Sequence, residues 1–165
     1  MQAQFRELWR HAASPVTVVT SAFNRELAGM TISSLTSVSM GPPHLLVSFN
    51  CQTPSRTGDF IHRSQHVVLN QLAMSPSNVL LAKAFAGFGG QRHTNPFEKY
   101  PDLFTPGSES EGIPRITAAA AQLLCRVRHV VPAQDHEIII ASVHKMWING
   151  GTPLIYRDHQ FGACT

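Results

Sequence analysis

The sequence predicts a mostly β fold: a closed or nearly closed barrel with helices packed outside it, in one domain over residues 1–165. Three features predict it. Seven or eight segments rich in β-branched residues alternate with short turns, and only two or three stretches suit helices. Apolar residues make up 43% of the 165, enough for a core without disulfides or metals. No GxGxxG follows a strand and no GxxxxGK loop occurs, which argues against the common α/β nucleotide-binding folds.

The elements follow in order. Gln4–Ala13 suits a short capping helix, ended before Pro15 because the residue preceding a proline is pushed out of the α region. Val16–Ser21 is rich in β-branched residues and reads as a strand; Asn24-Arg25-Glu26 turns the chain, and Ala28–Ile32 returns. Leu35–Met40 is a further strand, closed by Gly41-Pro42-Pro43. His44–Asn50 is almost continuously apolar, which predicts a strand buried on both faces. Thr53 or Ser55 caps a short helix to His62, and Gln65–Leu72 is a strand. Ser75-Pro76 pairs an N-cap with proline at the first helical position, so a helix runs to about Ala86. Residues 87–115 are rich in glycine and proline without a sustained period and read as a long surface excursion. Leu123–Val131 and Glu137–Trp147 form a long hairpin across Pro132–Asp135, and Leu154–Arg157 and Gln160–Phe161 close the chain. Trp9, Trp147, Phe23, Phe49 and Phe60 suit a core or a dimer interface.

Composition excludes several function classes. The net charge is +3, but the 13 Lys and Arg are scattered, and Arg126, Arg128 and His129 alternate like one face of a strand. There is no basic arm and no aromatic-basic repeat, so nucleic acid is not a partner. Cys51, Cys125 and Cys164 are odd in number and at unrelated spacings, neither a disulfide framework nor a CxxC metal site. A reducing compartment fits, the cytoplasm first; mitochondria are the alternative, because Arg6 and Arg10 outnumber Glu7 in an amphipathic N-terminal segment. A run of about 18 apolar residues, needed for a membrane span, is missing. Nine histidines raise the question of metal, yet His62 and His66 straddle a helix end and a strand start and no HExxH occurs; none is expected. No GxSxG elbow supports a serine hydrolase.

Hydroxyls are the remaining chemical signal. Gly29–Ser39 holds six Ser or Thr in eleven residues, and a second polar loop, Asn50–Thr57, opens a helix with Ser55, Arg56 and Thr57. A phosphate needs several donors in a concave site, which hydroxyls, backbone N–H groups and a helix start supply, with one Arg to match the charge. Such residues also serve as plain caps and connections. Asp135-His136 reads either as a carboxylate-oriented imidazole or as a polar hairpin tip.

The order of segments adds to this. Pro15–Thr20, Gly29-Met30-Thr31-Ile32-Ser33-Ser34-Leu35-Thr36-Ser37-Val38-Ser39, Pro42-Pro43 and the apolar strand to Asn50 resemble the short-chain flavin reductase family, the FMN-binding split-barrel proteins that include reductase components of two-component monooxygenases. Ser55-Arg56-Thr57, Phe60, Val67–Asn70, Leu81-Ala82 through Phe85-Ala86, Gly112-Ile113-Pro114, Leu124–Val127, Asp135-His136 and Pro153–Arg157 continue the likeness, from about Phe5 to Phe161.

The resemblance implies a mostly β, Greek-key-like split barrel with flanking helices, working as a homodimer with the site at the interface. It implies FMN, or alternatively FAD, with NADH or NADPH as co-substrate, and reduced flavin passed to an oxygenase partner or another acceptor. By the same likeness Thr31, Ile32, Ser33 and Ser34 wrap the ring system, with Ser37 and Val38 on the same wall. Asn50, Ser55, Arg56 and Thr57 hold the phosphate, with Phe85 and Ala86 closing over it. Tyr156 lies near the flavin, and His136 near the nicotinamide as the catalytic candidate. Two alternatives stay open: a flavin-dependent oxidase or tailoring enzyme acting directly on an organic substrate, and a non-catalytic binder of flavin or haem.

Overall fold

Alternating apolar positions build the strands, and their edges decide the architecture. The computed structural model describes residues 1–88 and 94–163; Gly89–His93 of the expected excursion, and Cys164, lie outside them. Twelve strands occur among the described residues: β1 Ser14–Pro15, β2 Thr17–Phe23, β3 Glu26–Ile32, β4 Thr36–Ser39, β5 Leu46–Gln52, β6 His66–Leu72, β7 Phe104–Thr105, β8 Arg115–Ile116, β9 Ala119–Ala133, β10 His136–Ile148, β11 Leu154–Arg157 and β12 Gln160–Ala163. The helices are α1 Gln2–Arg10, α2 Arg56–Ser64, α3 Pro76–Phe85 and α4 Pro96–Lys99.

Seven strands form one antiparallel sheet in the order β3-β2-β6-β9-β10-β5-β4. The sheet curls but does not close: β3 and β4 are its edges, so the barrel is split between them. Asn50 N–H bridges the split by donating to Ser34 Oγ at 2.9 Å. Inward side chains from six strands, among them Val19, Ile32, Phe49, Leu69, Val127 and Ile139, fill the interior, and Ile61 of α2 joins them. On the outer face α3 buries Leu81 and Ala82 against Val16, Val18, Leu72, Ile116 and Leu154. Both faces of β2 and β6 are therefore covered, and Val18 and Val19 are each fully buried.

Polar side chains lock the layers where the backbone leaves groups unpaired. Asn70 is fully buried, donates from Nδ2 to Val18 O at 3.0 Å and accepts at Oδ1 from Ile116 N–H at 2.8 Å. Two expected helix starts are realised: Ser55 Oγ accepts from Gly58 N–H at 3.0 Å, and Ser75 Oγ from Asn78 N–H at 3.2 Å.

Three expectations change. β5 is not buried on both faces: Val47, Phe49 and Cys51 point inward, while Asn50 and Gln52 are exposed. An apolar run does not reveal its neighbours, and β5 sits one strand from an edge. Helix α1 caps nothing, because none of its residues is buried; Trp9 stays 60% exposed and so is not a core residue. The helix is tied at its end, where Asp158 N–H donates to Arg10 O at 2.9 Å and the Asp158 carboxylate meets His11 Nδ1 at 2.9 Å. The excursion is more than surface loop. It carries α4 and β7, leads into β8, and buries Pro96, Ser110, Ile113 and Pro114. Its tight return needs Gly107, where a Cβ would lie 2.3 Å from the Gly112 carbonyl carbon. The mostly β split barrel with flanking helices is as expected.

Candidate functional site

The split in the barrel is where the polar segments meet. Thr31 and Ile32 end β3, and Ser33 and Ser34 follow it toward β5, where Ser34 meets Asn50. Asn50 and Gln52 face them from β5's solvent side, Ser55 from the start of α2, and His136 from the start of β10. With Met30, Phe85 and Ala86 these residues line a cleft of about 470 Å³. Two further clefts adjoin it. One, of about 780 Å³, shares Phe85 and Ala86 and is walled by Leu27–Gly29, Pro54, Arg56, Thr57 and residues 94–97. The other, of about 150 Å³, shares Thr31, Ile32, Ser33 and Ala86 and adds Val16, Phe88, Tyr156 and Phe161.

Several hydroxyls in this trough are already engaged. Thr31 Oγ1 donates to Ala82 O at 2.8 Å and ties β3 to α3, leaving its oxygen lone pairs as acceptors. Ser34 Oγ accepts from Asn50, and Ser55 caps α2. Ser33 is exposed, and Thr57 is buried in the first turn of α2. Capping satisfies Gly58 N–H, and the first helical bond runs from Asp59 N–H to Ser55 O at 3.0 Å. The N–H groups of Arg56 and Thr57 precede it and have no intrahelical acceptor.

Arg56 stands at the rim of the larger cleft. Its guanidinium lies 5.2 Å from the Phe60 ring centroid, and Nη2 donates to Glu26 Oε2 at 3.3 Å. Phe85 packs edge-on against Phe97 at 5.2 Å and Phe104 at 6.2 Å, ring centroid to centroid. Gly29 makes that seat, since a Cβ there would stand 2.7 Å from Phe85 Cε1.

His136 Nδ1 lies 3.0 Å from Asp135 Oδ1, and that hydrogen bond to the imidazole is the main cause holding the Asp135 carboxyl below its usual range. The hairpin tip is fixed against the polar loop, as Thr53 N–H donates to Asp135 O at 2.9 Å and His136 is paired with Gln52. Cys51, on the inner face below, has its thiol raised by burial, opposed by a hydrogen bond with Ser55.

Of the residues singled out from sequence, Thr31–Ser34, Asn50, Ser55, Phe85, Ala86 and His136 share one cleft. Arg56 and Thr57 line its neighbour, and Tyr156 the smallest of the three. Ser37 and Val38 are not brought to this trough: they lie on edge strand β4, and Val38 is half exposed. Sequence reasoning missed Gln52, which a period of two from Asn50 would have put on the same face. It also missed Gly29 and residues 94–97 as walls; the latter arrive through long-range packing that carries no local signal. Among the described residues no group of three or more His, Cys, Asp or Glu is placed to hold a metal ion, and no helix is long and apolar enough to cross a membrane.

Residues 9–165 match the family described as "Flavin reductase like domain". The reductase component of 4-nitrophenol 4-monooxygenase/4-nitrocatechol 2-monooxygenase from Rhodococcus opacus is 32% identical over 161 residues, 98% of this chain and 80% of that protein. An NADH-dependent flavin reductase from Rhodococcus sp is 29% identical over 152 residues, 90% of this chain and 78% of that one. The solved structure of flavin reductase PheA2 superposes with a TM-score of 0.83 at 27% identity, covering 100% of this chain and 99% of that chain.

Proposed function

Because this chain belongs to the flavin reductase-like domain family, we propose that it is an NADH- or NADPH-dependent flavin reductase that supplies reduced flavin to a partner oxygenase. The observation that carries the reading is the convergence of Thr31–Ser34, Asn50, Ser55, Phe85, Ala86 and His136 on one cleft, continuous with the basic rim at Arg56. Relatives named as NADH-dependent flavin reductase and as monooxygenase reductase component support the co-substrate and the acceptor.

The donor set suits FMN. The clefts at the split offer backbone and hydroxyl groups for a heterocycle edge, and the α2 end supplies N–H donors and a guanidinium for a phosphate. When bound, flavin supplies the chemistry, accepting a hydride from the nicotinamide. The chain's own residues orient and enclose. Thr31–Ser34 and Asn50 would border the ring system, Arg56 and Thr57 would hold the phosphate, and Phe85 and Ala86 would separate the two regions. Tyr156 would line the far end. His136, fixed by Asp135, would meet the nicotinamide carboxamide. Ser37 and Val38 would reach a flavin only from a second copy, across edge strand β4.

A homodimer forms part of the proposal. The apolar side chains Val38, Met40, Leu45 and Ile138, and Phe5, Leu8 and Trp9 on α1, are exposed in the single chain and suit an interface. Residues 1–165 act as one domain, and its place is the cytoplasm, where the buried Cys51 and Cys125 stay free thiols.

The test is the visible absorbance of the protein with FMN before and after NADH or NADPH. Oxidised-flavin absorbance should vanish under anaerobic conditions, and catalytic NAD(P)H oxidation should follow when air is admitted. Flavin retained with no oxidation of either nicotinamide would overturn the proposal and leave a binding protein.

A further inference from the structure

We propose that Glu26 competes with the flavin phosphate for Arg56, and so keeps FMN exchangeable rather than permanently held. The inference rests on Arg56 as the phosphate ligand and goes further, by assigning an opposing residue. Glu26 opens β3 directly after the turn at Asn24 and Arg25, whose φ values are +50° and +67°. The next three residues, Leu27–Gly29, form one wall of the 780 Å³ cleft, and Pro54, Arg56 and Thr57 form part of another. The Glu26–Arg56 pair, Nη2 to Oε2 3.3 Å, therefore joins two walls at the rim. Among the described residues Arg56 is the hydrogen-bond partner of the Glu26 carboxylate.

Strength decides what such a pair can do. Both side chains are well exposed, 63% for Arg56 and 69% for Glu26, so the pair is weak and yields to a better anion. A phosphate with two charges offers that anion. It must draw Arg56 away from Glu26, and breaking that pair is the cost that opposes binding. The stacking on Phe60 leaves the guanidinium edge free to turn between the two acceptors. The penalty falls on the phosphate alone. Riboflavin, which has the same rings and no phosphate, would not register it. A reductase that hands its flavin to another protein needs such a brake, since each added increment of affinity slows release.

The experiment measures dissociation constants of FMN and riboflavin, by quenching of flavin fluorescence, for wild type, Glu26→Gln, Glu26→Asp, Arg56→Ala and Glu26→Gln with Arg56→Ala. Wild type should bind FMN more tightly than riboflavin. Glu26→Gln should tighten FMN by about two- to fivefold and leave riboflavin unchanged. The Asp variant should restore part of the brake, and the gain should shrink with added salt. In the Arg56→Ala background Glu26→Gln should have no effect. The inference is overturned if FMN affinity does not rise, if FMN and riboflavin shift alike, or if the gain survives loss of Arg56. If wild type does not prefer FMN to riboflavin, the phosphate reading of Arg56 itself fails, and that result precedes any Glu26 variant.

Discussion

Replacing Gly29 by alanine should unsettle fold and site together. A Cβ at Gly29 would stand 2.7 Å from Phe85 Cε1, 3.0 Å from Phe85 Cδ1 and 3.0 Å from Val19 O. The carbonyl belongs to β2, paired on both sides, and cannot retreat. Relief must come from the Phe85 ring, which is itself packed against Phe97 and Phe104. Overpacking of this kind costs about 1–3 kcal/mol. For a chain of this size each kcal/mol lowers Tm by roughly 2–4 °C, so the variant should melt about 2–12 °C lower. Because Phe85 and Ala86 line both larger clefts, FMN affinity should fall as well. Gly162→Ala is the matched control, having nothing within 4 Å of its Cβ position and no positive φ. Thermal and urea unfolding of both variants, with FMN titration, provide the readout. A Gly29→Ala protein as stable as Gly162→Ala and equally able to bind FMN would refute the close-approach account.

Other perturbations test separate parts of the structure. His136→Ala should raise KM for NADH by about two- to tenfold, the worth of one hydrogen bond, with a smaller change in FMN affinity; equal effects on both would remove the imidazole from the nicotinamide side. Asn70→Ala leaves Val18 O and Ile116 N–H without their partner, and should lower stability by about 1–3 kcal/mol in urea unfolding; a loss under about 0.5 kcal/mol would mean that neither group depends on it. Burial pushes the Cys125 thiol up to about 12, so the native protein should resist iodoacetamide at that residue until it unfolds. The unfolded thiol ionises first as pH rises. Stability should therefore decline from the ordinary thiol range up toward the folded value, and Cys125→Ala should flatten that alkaline slope.

The local sequence determined much of this protein. β-Branched runs and turn residues placed the strands of the main sheet to within a few positions, and Ser55 and Ser75 marked two helix starts because capping is a short-range interaction. The hydroxyl-rich segments and Asp135-His136 could be singled out for the same reason, as each chemistry sits in a few consecutive residues. Tertiary structure decided what no window contains. The seat under Phe85 depends on a missing Cβ 56 positions earlier in the chain. The exposed face of β5 depends on its place one strand from an edge, and a run of apolar letters cannot encode its own neighbours. The facing of Thr31–Ser34 and Asn50, and of Glu26 and Arg56, exists only where the curled sheet leaves its edges unpaired. Strand pairing over long separations is a collective outcome of burial, so composition and spacing supply the parts while the split between edge strands β3 and β4 assembles them.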